Sequence, residues 1–419
     1  MGCGRVLRVL GAGVRAVCGR LAPGVSPGHH RRAARGASCT RAWRGAPVAA
    51  LAGAAVAALL ALAAPAAWAQ TTSPLGAYQG ETINFGHDPT VGLAPTPCHI
   101  DASGPTLVFS NDPEKVPAPG ILYRATVSGA ARILVFHVNG SRQPLHIGVL
   151  MTNPENAPVN VVVQHIGVAG PGTDPLEVGK QAEHLWFQPH AFYTYALLGH
   201  HSWFLDGALA DTPVPPGKSL AAVYDVTTTA PVVFTVVAQT KPSLSLAGLR
   251  VLPSTSLAGG YGTPMRGTFP DANLTCSVTA AVPTAGLTEI RLGTAGTFIQ
   301  GVSSVDGNAP AVDDGNYGVL YHLHLTLTSS LSSPYSSYAV LLHAHNNVFA
   351  GVASVSGSGG MFPAIVPLPI DQPQVRRASQ AVMLGMVRLL PLVPTTLDLQ
   401  WMPAAGSTLP VDLLVYGVY

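Results

Sequence analysis

The chain has 419 residues, with 22 Lys and Arg against 20 Asp and Glu, and it is rich in Gly (45) and Pro (37). Nine of the arginines and no acidic residue fall in residues 1–69, so the remainder carries 13 basic against 20 acidic groups, a net of −7. An acidic remainder excludes nucleic acid as a main partner, since neutralising phosphates takes clustered Lys and Arg. Abundant Gly and Pro with little charge favours short strands joined by turns over helices with salt-bridged faces.

A basic stretch ends at Arg44, an uncharged Ala/Leu/Val run follows over 46–69, and Ala67-Trp68-Ala69 precedes Gln70. This is the order of an export signal, with Gln70 the expected first mature residue. A basic region this long ahead of the apolar run puts the expected start downstream of Met1. After cleavage no stretch is long and apolar enough to cross a membrane as a helix, Arg388 and Pro391 interrupting the nearest one. Cys98 and Cys276 are the two cysteines left beyond the leader. In an oxidising compartment they can form one bridge between the halves, stabilising by ~4 kcal/mol in the chain-entropy model, or stand as two buried thiols.

Residues 70–118 read as an extended lead-in with one or two strands. From Gly120 short apolar runs at 121–127, 131–138, 145–152 and 159–163 alternate with the turn formers Ser128-Gly129, Asn139-Gly140-Ser141 and Asn153-Pro154-Glu155-Asn156. Helical periodicity is absent, and strands at this spacing predict a sandwich or barrel. An aromatic and histidine block at 183–206 breaks the pattern, which strands at 220–226 and 231–238 then resume. A linker is expected at 241–245. The second half carries the clearest strand of the chain, with Val319, Tyr321, Leu323, Leu325 and Leu327 on one face and Leu320, His322, His324, Thr326 and Thr328 on the other. Gly318-Val319-Leu320-Tyr321 parallels Gly120-Ile121-Leu122-Tyr123, and Gly406-Ser407 before the last strand parallels Gly217-Lys218-Ser219. These landmarks suggest a duplicated unit. The expectation is an all-β protein of two tandem antiparallel β-sandwich domains, 119–240 and 246–419, behind a signal segment 1–69 and the lead-in 70–118.

Three sets of residues can carry chemistry. His322 with His324, and His343 with His345, are each spaced i, i+2, so both rings of a pair share a strand face. A hairpin across the polar loop 329–337 would bring all four imidazoles together, a donor set for Zn²⁺, Cu²⁺ or Ni²⁺; the bland reading is a polar sheet face. Trp186, Tyr193, Tyr195 and Trp203 can stack on sugar rings or pack as core. His184, His190, His200 and His201 beside them match no standard ligand spacing. Asp306-Gly307-Asn308 and Asp313-Asp314-Gly315-Asn316 resemble calcium turns but are also ordinary turn chemistry. No His-Glu-x-x-His, phosphate loop or dinucleotide fingerprint occurs, and the one Gly-x-Ser-x-Gly, at Gly24–Gly28, precedes no strand–turn–helix unit.

Several short motifs carry a family resemblance: Gly120-Ile121-Leu122, the run Ile147-Gly148-Val149-Leu150-Met151-Thr152-Asn153-Pro154 with Ala157-Pro158-Val159, Arg266-Gly267-Thr268-Phe269, and Gly315-Asn316-Tyr317-Gly318-Val319-Leu320-Tyr321. Over about 105–419 the chain resembles secreted bacterial proteins of unknown function best populated in cyanobacteria. The resemblance implies export and supplies no activity; the four histidines are not part of its pattern. The combined expectation is a secreted or cell-envelope protein that binds a surface polysaccharide or an envelope protein without catalysis. The alternative is a metal-binding protein or metalloenzyme built on the four histidines. An outer-membrane barrel would need lipid-facing alternation throughout, against which the long Pro-rich connections stand.

Overall fold

The computed structural model describes residues 79–419 apart from 112–114, 242–251, 253–263, 284–285, 336, 346, 359, 362–365 and 369–376. The expected leader 1–69 and linker residues 242–245 lie outside the described residues.

Strands dominate, as the alternating pattern requires. The lead-in supplies four: β1 (Thr82–Asn84), β2 (His99–Ser103), β3 (Thr106–Ser110) and β4 (Lys115–Val116). The first half runs β5 (Gly120–Asn139), β6 (Leu145–Thr152), β7 (Val159–Gly172), helix α1 (Pro175–Phe187), β8 (Tyr193–Leu197), β9 (Ser202–Phe204), helix α2 (Gly207–Asp211), β10 (Pro213–Val214) and β11 (Ser219–Gln239). The second half opens with β12 (Gly267–Phe269), β13 (Asn273–Val282), β14 (Leu287–Leu292), β15 (Gln300–Ser303), β16 (Ala309–Val312) and β17 (Leu320–Ser329). It continues through β18 (Ser337–His343), β19 (Gly351–Gly357), β20 (Gly360–Met361), β21 (Val366–Leu368), β22 (Gln380–Arg388), β23 (Thr395–Pro403) and β24 (Val411–Val418).

The runs 121–127 and 131–138 are one strand, β5, and 220–226 and 231–238 are one strand, β11. The two pair antiparallel along their length, with a register break between Thr228 and Val232. Gly129, at φ 85, takes the bend that a side chain would resist, and Pro231 has no N–H to give the ladder. The chain therefore bends at Ser128-Gly129 where a turn was expected. One half of β11 pairs with β7 and the other with β6, so these two long strands serve both layers around one core of Leu122, Ile133, Val149, Val161, Tyr224 and Phe234.

The second half stacks two six-stranded sheets. One has the order β1-β22-β18-β24-β14, and the other β2-β13-β17-β23-β19-β21. Val340, Leu342, Val382, Leu413 and Val415 from the first meet Leu274, Val278, Leu323, Leu325, Leu399 and Trp401 from the second in a shared core.

The lead-in is more integrated than expected, giving a strand to every sheet. The reason is visible in β3: Leu107 and Phe109 enter the second-half core, and Val108, one residue over, enters the first. A strand buried on both faces cannot be a loose connection. β3 pairs with β5 on one side and β12 on the other, so a single twelve-stranded sheet runs across the expected domain boundary. Residues Ala69–Tyr419 accordingly form one compact unit.

Helix α1 departs from the all-strand expectation. Asp174 caps it, accepting from the amides of Leu176 and Glu177, and Pro175 occupies its first turn, a signal present in the sequence. Glycine admits the helix to its bed: a Cβ on Gly167 would lie 1.9 Å from the Ala182 carbonyl oxygen.

Candidate functional site

The aromatic block divides. Trp186 is buried on α1, with the Arg132 guanidinium 4.9 Å above its ring and Phe187 edge-on at 5.0 Å. It is a packing residue and leaves the expected stacking platform. Tyr193, Tyr195 and Trp203 lie on β8 and β9, strands that among the described residues have a single partner each, β7 and β6. Tyr193 pairs with Val163, Tyr195 with Val161 and Trp203 with Met151, whose side chains face the first-half core. By pleat, all three aromatics sit on that same side, at the two free edges of the layers. Tyr195 donates to the Leu205 carbonyl at 2.9 Å, tying the edges together. Tyr193 stands edge-on to Tyr195 at 5.9 Å. Trp203 is 61 % exposed and Phe192 70 %, so this end of the lobe presents rings to solvent. Burial, helped by the nearby Asp206 carboxylate, raises the pKa of the Tyr193, Tyr195 and Tyr224 hydroxyls, so they remain neutral hydrogen-bonding groups. In the loop between β8 and β9, His200 Nε2 is 2.9 Å from Asn156 Oδ1, and Ser202, on the opposite face of β9 from Trp203, is bonded to Thr152 at 2.6 Å.

The four histidines do not converge. β17 pairs with β13 and β23, while β18 pairs with β22 and β24 of the opposite sheet. The expected hairpin between them is absent because the loop after β17 crosses the sandwich instead of turning within a sheet. His322 and His324 face outward from their sheet, opposite Gln400 and Asp398; His324 Nδ1 is 2.5 Å from Asp398 Oδ1. His343 and His345 gather with groups that sequence spacing did not single out. Arg291, Asp412 and His343 are directly paired across β14, β24 and β18, forming one row on the outer face of that sheet. Asp412 Oδ2 is 3.1 Å from His343 Nδ1 and 2.8 Å from His345 Nδ1. Arg291 Nε donates to Asp412 Oδ1 at 2.9 Å and Arg291 Nη2 to Glu289 Oε1 at 2.5 Å. Burial works against the charged carboxyl of Asp412, but its bonds to His343 and Arg291 prevail and lower its pKa. Burial and Asp412 raise that of Glu289, two residues from Arg291 on the same strand face. The signal for these residues was charge inside apolar strands, Glu289-Ile290-Arg291 and Val411-Asp412-Leu413, in a chain that has little charge to place.

The other candidates are occupied structurally. Cys98 is bonded to Cys276, joining the start of β2 to β13 across 178 residues. Asp306 takes both prongs of Arg266, at 2.8 and 2.6 Å, and a bond from Ser303, while Asn316 bonds Ile299, Thr297 and Tyr321. Those turns are stitched into the fold. His190 Nε2 lies 2.7 Å from the Leu185 carbonyl, His184 Nε2 3.3 Å from Gln188, and His201 Nδ1 2.8 Å from the Gly199 carbonyl. No helix among the described residues is long and apolar enough to cross a membrane. No protein-family profile and no curated protein matches the chain.

Proposed function

We propose that this is an exported binding protein of the cell exterior or envelope, two sandwich-like lobes in tandem, whose working surface is the aromatic edge of the first lobe. Its ligand is a surface polysaccharide. The exposure of Trp203 and Phe192 beside Tyr193 carries this reading, because rings left in water on free strand edges are costly unless something stacks on them. The neutral hydroxyls of Tyr193 and Tyr195 match the uncharged hydroxyls of a sugar. The Cys98–Cys276 bond fits an oxidising compartment, and so supports export as the Ala67-Trp68-Ala69 leader and the resemblance to secreted bacterial proteins do.

Native gel electrophoresis of the purified protein through gels cast with neutral polysaccharides tests this. Retardation should appear with at least one polymer and disappear on Trp203→Ala combined with Tyr193→Ala, with thermal stability unchanged. Retention of an envelope protein with no polymer response would replace the polysaccharide by a protein partner.

A further inference from the structure

The row on the outer face of the β14–β24–β18 strands has a feature that the binding proposal does not use. His343 Nε2 lies 2.5 Å from the Ala378 carbonyl oxygen, an atom that can only accept, so Nε2 carries the proton. In the neutral ring Nδ1 then holds a lone pair, and it points at Asp412 Oδ2, another acceptor, 3.1 Å away. His345, just beyond the end of β18 in a left-handed conformation (φ 45), brings its own Nδ1 to the same oxygen at 2.8 Å. Three potential donors to a cation, two imidazole nitrogens and a carboxylate oxygen, thus converge on one point. Among the described residues, the carboxylates of Asp88, Glu289 and Asp412 and the guanidinium of Arg291 surround these donors. The second oxygen of Glu289, Oε2, is buried without a hydrogen-bond partner.

We propose that His343, His345 and Asp412 bind a divalent transition-metal cation, Zn²⁺ by preference, with the fourth position left to solvent or a ligand. Tetrahedral zinc with bonds of about 2.0–2.1 Å sets its ligands roughly 3.3–3.4 Å apart, so each imidazole needs to move from the Asp412 oxygen by a few tenths of an ångström. The outer contacts are those of a metal site. The Nε2–H of His343 donates to a backbone carbonyl, which fixes the tautomer, and Arg291 holds the other oxygen of Asp412. Arg291 Nη2 is 3.4 Å from His345 Nδ1, so the cation takes the side of the donors away from the guanidinium. His345 is 30 % exposed at its side chain and provides the entrance.

The test uses the whole purified protein, stripped with a chelator. Titration with Co²⁺ should saturate at one equivalent and develop the visible absorption of low-symmetry Co²⁺, which Zn²⁺ then displaces. His345→Ala should weaken binding at least tenfold while His322→Ala with His324→Ala leaves it unchanged. In the unmodified protein, Zn²⁺ should protect His345 from diethyl pyrocarbonate, read by peptide mass spectrometry, a measurement that needs no variant to fold. Absence of saturable binding, or equal modification of His345 with and without Zn²⁺, overturns the proposal and leaves an imidazolium–carboxylate network in its place. Loss of polysaccharide retardation bears only on the aromatic edge, so the two readings fail separately.

Discussion

Two arginines, Arg132 and Arg291, each hold an aspartate across neighbouring strands, and they do different work. Arg132 is 2 % exposed, grips Asp225 with Nε and Nη2 at 2.8 and 3.0 Å, and lies over Trp186. Its remaining nitrogen, Nη1, reaches the carbonyls of Ala272 and Gly318 and the Asn273 side chain at 3.3, 3.0 and 3.2 Å. Donors and acceptors are matched, and they come from both halves of the chain, so this cation fastens the halves together. Arg291 is shared among Asp412, Glu289 and the His345 imidazole, at the rim of a sheet. A buried charge with every bond made is structure; one beside unmet negative charge has room for a ligand.

The largest consequence should come from removing the matched cation. Arg132→Ala leaves the part-buried Asp225 unpaired and removes bonds to three further acceptors, a loss of about 3–5 kcal/mol, read as a shifted urea midpoint or failure to accumulate folded protein. Cys98→Ser with Cys276→Ser relaxes a closed loop, and about 2–5 kcal/mol of stability should go with it. Reduction of the unmodified protein should reproduce that shift. Arg291→Ala should cost less than Arg132→Ala, about 1.5–3 kcal/mol, because His343 and His345 still hold the Asp412 carboxylate. Equal losses at the two arginines would erase the distinction drawn between them.

A smaller effect should be visible in pH. Burial without a partner pushes the Glu183 carboxyl well above the usual range in the folded protein. The folded chain holds that proton after the unfolded chain has released it, so stability falls as pH rises from the ordinary glutamate pKa through the raised one. Glu183→Gln should flatten this decline in melting temperature between pH 5 and 8, taken as roughly neutral solution conditions; an unchanged slope would assign it to other groups. Smallest of all, His324→Ala should shift stability by no more than ~0.5 kcal/mol, because its pairing with Asp398 is in water.

The comparison also shows what could be read before the fold was known. Alternation in 320–328 placed Tyr321, Leu323, Leu325 and Leu327 on the core side, where the structure has them. It could not say which strand lies alongside. His322 and His343 were given a shared sheet because a polar loop separates their strands, yet that loop crosses between layers. Asp412 and Glu289 passed unnoticed because a single charge in an apolar strand has no periodicity of its own. For Trp186 the sequence leaves stacking and core packing both open, because its helix is signalled only by Asp174-Pro175; the helix decides for packing.

Local chemistry thus determined the strands, their inward faces and the bends at Gly129 and Pro231, since period, φ preference and missing donors act within a few residues. Which strands become neighbours depends on how separate apolar faces are covered together, a property of the whole chain. That choice alone set β3 between two cores, moved His322 and His324 away from His343, and brought Asp412 within 2.8 Å of His345.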